Sequence, residues 1–266
     1  MSRFLDRLDK IREGAPAAMG FGVQRREKSP GMALVALVSA DHAQSIGHIT
    51  DLKPDAAIVS GVDGPAAIKS LCGPMGKEIP WGALVSTLGA ADAQAYEEGG
   101  SDLMAFSLIG TTVAAMGSEE VAKILCLSAD IDLEELRSIN ALPVDAVLLS
   151  VPTPSSPWTL EDLATVARVG QRLDKYLLMK LPENVSEFPT GKELEALRSA
   201  GVNALVVDVG GASPESLSGL KAALLEMPRQ MPKNRDRAMA LLPRSAFPSG
   251  DTPEPDEPEP DDDDDE

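Results

Sequence analysis

The sequence predicts an α/β protein: a compact (β/α)8 barrel with a short N-terminal extension and a disordered acidic C-terminal tail. Three observations carry this. Eight short apolar runs recur between residues 32 and 228, most gaps between them read as helices, and each run ends in a polar residue at the same relative place. Every run is apolar on both faces, as a parallel strand covered by helices must be. Eight such strands alternating with helices close into a barrel. A doubly wound open sheet is the competing arrangement, but no G-x-G-x-x-G follows the first run to support it.

The runs are MALVALVSA from Met32, AAIVSG from Ala56, GALVST from Gly82, LMAFSL from Leu103, KILCLSA from Lys123, AVLLSV from Ala146, YLLMKLP from Tyr176 and ALVVDVG from Ala204. Between them AADAQAYEEGG, DLEELRSINAL, TLEDLATVARVGQRLDKY, TGKELEALRSAG and SPESLSGLKAALLEMP read as helices. Thr159 and Ser213 stand where N-caps belong, with Pro214 at a first helical position, and Gly99, Gly100 and Gly201 stand at C-terminal stops. The fourth connection, from Ile109 to Ala122, is expected to return through a short helix around Ser118–Val121. Ahead of the first run, Leu5, Leu8 and Ile11 make one stripe of a short helix, and AAMGFG is expected to close the barrel floor.

Four segments follow: a helix and floor segment at 1–31, the barrel at 32–228, a basic linker at 229–250 and the acidic tail at 251–266. The tail holds eleven acids and no base, and subtracting those eleven from the net charge of −18 leaves −7 for the rest. Its composition cannot bury enough surface to offset ordering entropy, so it reads as disordered: a solubilising tail or, as the alternative, a docking tail for a basic protein partner. The acidic balance and the 3% aromatic content argue against a nucleic-acid partner. Cys72 and Cys126 are too few for a disulfide scaffold or a four-cysteine zinc site, and both are expected to pack in the core. The longest apolar run is too short to span a bilayer, and the charged start has no export-signal pattern, so a cytoplasmic protein is expected.

In this architecture chemistry sits at the C-terminal ends of the strands. The polar ends are Ser39, Ser60, Ser86, Ser107, Ser128, Ser150, Lys180 and Asp208, a ring around the mouth. Lys180 is the most informative, because lysine rarely lies in an apolar strand unless it is paired or used. Two readings stand: an internal Lys180–Asp208 ion pair plugging the mouth, or an amine that forms a Schiff base or holds an anionic substrate. Lys180, Asp208 and His42 are the candidate catalytic residues, His42 being suited to acid–base work near neutral pH. Ser39, Asp41, Ser150, Asn184, Gly210 and Gly211 are the candidate substrate contacts. Asp41, Asp63 and Asp130 also read as caps of the helices that follow them. Gly210 and Gly211 precede a helix N-terminus, the usual phosphate position, although Pro214 removes a donor and Glu215 adds a negative charge. Metal, α/β-hydrolase and P-loop signatures are missing, so no metal is assigned.

The stretch YLLMKLPENVSE and the following ELEALRSAGVNALVVDVGG resemble the late barrel of dihydroorotate-dehydrogenase-type flavin enzymes, in which a V-K-L-x-P strand precedes a helix and a further strand. DAQAYEEGGSDLMAFSL is similar to the A-x-x-x-G-A-D element of aldolase-type barrels, with Gly99-Gly100 in place of Gly-Ala. The resemblance implies flavin or substrate contacts at Lys180 and Asn184. In that family two more strands bring a glycine-rich flavin-phosphate site, whereas these runs end at Asp208. The expected function is an aldolase-type barrel that binds or transforms a small anionic metabolite at its mouth, by lyase-like or oxidoreductase-like chemistry. The alternative is a non-catalytic scaffold that interacts through its acidic tail.

Overall fold

A computed structural model describes residues 2–13, 29–40, 46–61, 64–73, 78–151, 157–182 and 187–228. The AAMGFG segment, the basic stretch and the acidic tail lie outside the described residues. The chain opens with helix α1 (Arg3–Glu13) and then alternates β1 (Ala33–Ser39), α2 (Ile46–Leu52), β2 (Ala56–Ser60), α3 (Pro65–Cys72), β3 (Trp81–Val85), α4 (Ala90–Glu98) and β4 (Leu103–Ser107). A 3₁₀ turn (Val113–Met116) leads to β5 (Ala122–Ser128), α5 (Leu133–Asn140), β6 (Ala146–Ser150), α6 (Leu160–Gly170), β7 (Tyr176–Lys180), α7 (Gly191–Ser199), β8 (Val202–Asp208) and α8 (Pro214–Glu226). The eight strands form one closed parallel barrel in sequence order, β1 pairing with both β2 and β8.

Alternation along each strand sorts the side chains into two apolar shells. Val35, Ile58, Ala105, Ile124, Leu148 and Val206 belong to the inner one. Leu34, Val59, Phe106, Leu125, Val147 and Leu205 belong to the outer one, under the helices. In a closed sheet each strand is stepped against the next, so residues from alternate strands share a level. Following the pairing puts Ala56, Leu103, Ala146 and Ala204 on one low level, with Ala33, Ala122 and Tyr176 below it. Alanine at most of these positions leaves the floor open. Phe4 and Leu8 of α1, 0% and 1% exposed, fill it.

Of the expected stripe only Leu8 enters the floor, beside Phe4, with Leu5 and Ile11 half-buried against the inner shell, and polar contacts fix this plug. The Asp102 carboxylate accepts the Ser2 hydroxyl (2.8 Å), the Arg3 and Phe4 amides (3.0 and 2.9 Å) and Arg3 Nε (3.1 Å). It serves as an N-cap supplied from another element. Arg7 donates to the carbonyls of Asp55 and Glu78, Tyr176 donates to Asp9, and the Arg12 guanidinium lies 4.9 Å from the centre of the Tyr176 ring.

Thr159 caps α6 in a reciprocal box with Asp162, Ser213 caps α8 and Pro214 opens it. Gly100 and Gly201, at φ 91° and 106°, turn the chain out of α4 and α7 in the left-handed region. Two details differ from expectation. The fourth connection has its helical turn at Val113–Met116, and Ser118 accepts the Glu120 amide instead (3.1 Å), a local side-chain bond that competes with helix formation. The cap of α5 is Asp132, which accepts the Glu134 amide, and Asp130 is hydrogen-bonded back to Ser128.

Candidate functional site

The polar strand ends share one parity with the inner shell, so they line the mouth. The register separates them into levels instead of one ring. Ser39, Ser86 and Ser128 are uppermost, and Ser86 lies one residue beyond β3. Ser60, Ser107, Ser150 and Asp208 form the next level. Beneath it lie Leu37, Leu84, Cys126 and Lys180. Polarity thus rises towards solvent, with Lys180 the deepest charged side chain among the described inward positions. Lys180 and Asp208 are both half-buried.

The hydroxyl level is only partly committed to the backbone. Ser60 Oγ donates to the Val38 carbonyl at 3.3 Å. Ser107 accepts Thr111 Oγ1 with its main-chain oxygen (2.7 Å), and Ser150 accepts the Ala129 amide in the same way (3.1 Å), so neither contact uses the serine hydroxyl. Ser39 is half-buried and Ser150 exposed. The Ser128 hydroxyl holds the Asp130 carboxyl below its ordinary range.

Asp208 Oδ1 accepts the Gly210 amide at 2.8 Å, so its own turn holds at least one oxygen of the carboxylate. The same contact occupies one backbone donor of the Gly210-Gly211 loop. Ser213 takes the Ser216 amide (3.1 Å), and Pro214 has no N–H to give. With Glu215 in the first turn, the residues after β8 do not fit a flavin phosphate. Asp41, His42, Asp63, Glu183 and Asn184 lie outside the described residues. Among the described residues no three His, Cys, Asp or Glu side chains are grouped to hold a metal ion.

Sequence reading placed Cys126 in the core. The structure adds it to the site, half-buried on the inner face at the level of Lys180. Burial pushes its thiol up to about 11, while the positive charge of Lys180 pulls the other way. The signal was present in the alternation: Cys126 has the parity of Ser128, two residues on.

No family model matches the chain, and a search of curated proteins gives no match. Solved structures do resemble it. The tryptophan synthase alpha-subunit of the hyperthermophile Pyrococcus furiosus aligns at a TM-score of 0.54 and 12% identity, over 73% of this chain and 97% of that one. Two mutant forms of the same subunit align at TM-scores of 0.54 and 0.55, with 13% and 12% identity and the same coverage. The fold is a TIM barrel. At this identity the likeness concerns the fold alone, because one barrel hosts many chemistries. Among the described residues no helix of the barrel is long and apolar enough to cross a membrane.

Proposed function

We propose that this TIM barrel binds, and in the enzymatic reading transforms, a small anionic metabolite at its mouth. The observation that supports the reading is the stacking of levels: one inward cation, Lys180, under a rim of Ser60, Ser107 and Ser150 hydroxyls. A cation on an apolar base attracts one negative charge, and hydroxyls above it fix orientation by donating or accepting. The Gly210-Gly211 loop contributes less than its place suggests, since Asp208 holds the Gly210 amide. Lys180 is thus the anchor, Asp208 the acid–base partner on the level above, and His42, Ser39, Asp41 and Asn184 further contacts. An amine at Lys180 is suited to Schiff-base capture of an oxoacid or sugar phosphate, or to charge stabilisation during proton transfer.

The few charges in this serine-rich mouth favour a second reading, a non-catalytic barrel that acts as a scaffold, with the acidic tail meeting a basic protein. A thermal-shift screen of the full chain against phosphorylated sugars, oxoacids and flavins separates the two. A ligand at 100 times its dissociation constant stabilises by about 2.7 kcal/mol. The metabolite reading expects a shift from an anionic class that Lys180→Met abolishes, and no shift from any class rejects it.

A further inference from the structure

Between α4 and α5 the barrel wall lacks a helix. Among the described residues, the return from β4 to β5 is the one made without an α-helix, by a four-residue 3₁₀ turn alone. An apolar groove remains over the outer faces of Phe106 and Leu125, walled by Met116, Leu142 and Val144. Leu108 and Val113, which line it, are 52% and 84% exposed, and Ile109, the residue after Leu108, is 86% exposed. Such a cluster is uncommon on a surface that meets only water.

The charge around this groove is mostly acidic, with Lys123 of β5 and Arg137 of α5 as the neighbouring bases. From Glu78 to Ala122 the sequence has seven acids and no Lys, Arg or His. Glu97, Glu98, Glu119 and Glu120 line a cleft on the other side of the 3₁₀ turn. On the α5 flank, Asp132, Glu134 and Glu135 outnumber Arg137.

We propose that this groove docks a basic amphipathic helix of a partner protein. The helix takes the place of the missing one, with its apolar stripe on Leu108, Val113 and Met116 and its Lys or Arg residues towards the glutamates. Charge complementarity selects this occupant. In a symmetric pairing of two copies the acidic walls would face each other, and an anionic lipid surface would repel them.

The test titrates a fluorescent synthetic helix of about 14 residues, Leu and Ala on one face and Lys on the rest, into the full chain at about 0.15 M salt. A second peptide keeps the apolar stripe and carries Glu in place of Lys. The Lys peptide is expected to bind and the Glu peptide not. Ile109→Ser with Val113→Ser, both exposed and so tolerated by the fold, should weaken binding about tenfold or more. Glu97→Gln with Glu119→Gln should weaken it and flatten its salt dependence. Amide exchange should slow across residues 104–113 and 121–127. Four results overturn the proposal: no binding; equal binding of both peptides; unchanged Lys-peptide binding in the Ile109→Ser/Val113→Ser protein, which would place the peptide on other acids; or a dimer, or attachment to phosphatidylcholine vesicles, that the same double substitution abolishes.

Discussion

Removing the Asp102 carboxylate should loosen the floor of the barrel. Its side chain is 8% exposed and receives two backbone amides of α1, the Ser2 hydroxyl and Arg3 Nε. Asp102→Ala takes the carboxylate from the Arg3 amide and leaves the Phe4 amide only its longer contact to Ser2 Oγ (3.2 Å), and a stranded donor costs about 1–3 kcal/mol. The Arg3 guanidinium adds little, because its side chain is 46% exposed and screened by solvent. Partial lifting of the first turn would let water reach the amides, so the expected loss is about 2–4 kcal/mol in total. Asp102→Asn keeps one acceptor and should lose about half of that. The plug itself is tested by Phe4→Ala, with an expected loss of about 3–5 kcal/mol. Combined with Asp102→Ala it should cost less than the sum, because both changes undock the same helix. Urea unfolding followed by circular dichroism measures all four proteins. A loss under about 0.5 kcal/mol for Asp102→Ala, or strict additivity with Phe4→Ala, would refute the docking of α1 described above.

Other consequences are as direct. Cys126 should react slowly with iodoacetamide at pH 8 and about tenfold faster per pH unit up to pH 10, because the thiolate is the nucleophile and its pKa is about 11. Lys180→Met should slow it further, and fast labelling at pH 7 would contradict the buried environment. Asp55 is pushed above its ordinary range by burial, against the pull of the Leu34 amide, Arg7 and Lys221. The folded state therefore holds that proton more tightly than the unfolded one, and this group's contribution to stability falls as pH rises from the unfolded pKa through the folded one. Asp55→Asn should gain on the wild type in melting temperature between pH 3 and pH 7, and a growing deficit over that range would refute the assignment. Gly82→Ala should cost about 3 kcal/mol or prevent folding, since a Cβ there would sit 1.7 Å from the Leu103 carbonyl oxygen; a stable variant by urea unfolding would contradict the β3–β4 approach. If Lys180 is a reactive amine, borohydride with an oxoacid or sugar phosphate should trap an adduct on it by mass spectrometry, and trapping on other lysines alone would exclude the Schiff-base route.

The barrel was legible because parallel strands buried on both sides write themselves as uniform apolar runs, and the register of polar ends from Ser39 to Asp208 survived as the mouth. What the runs do not encode is the step between strands. That step put Lys180 one level below Asp208 and beside Cys126, and only pairing partners reveal it. The position of the 3₁₀ turn was likewise open, because helix spacing is weak over four residues and the Ser118 side-chain bond is a local contest. The anchoring of α1 by Asp102 joins residues about a hundred positions apart, which no periodicity announces.

An anion site at the mouth should depend on Lys180. Isothermal titration of the anion giving the largest thermal shift, into wild-type protein and Lys180→Met, tests it directly. Asp208 keeps the Gly210 amide in Lys180→Met, and circular dichroism checks that the variant is folded before titration. Saturable one-to-one binding to the wild type is expected, with at least a hundredfold weaker binding to Lys180→Met, about 2.7 kcal/mol of lost affinity. Equal affinity in the two proteins, with both folded, would contradict it.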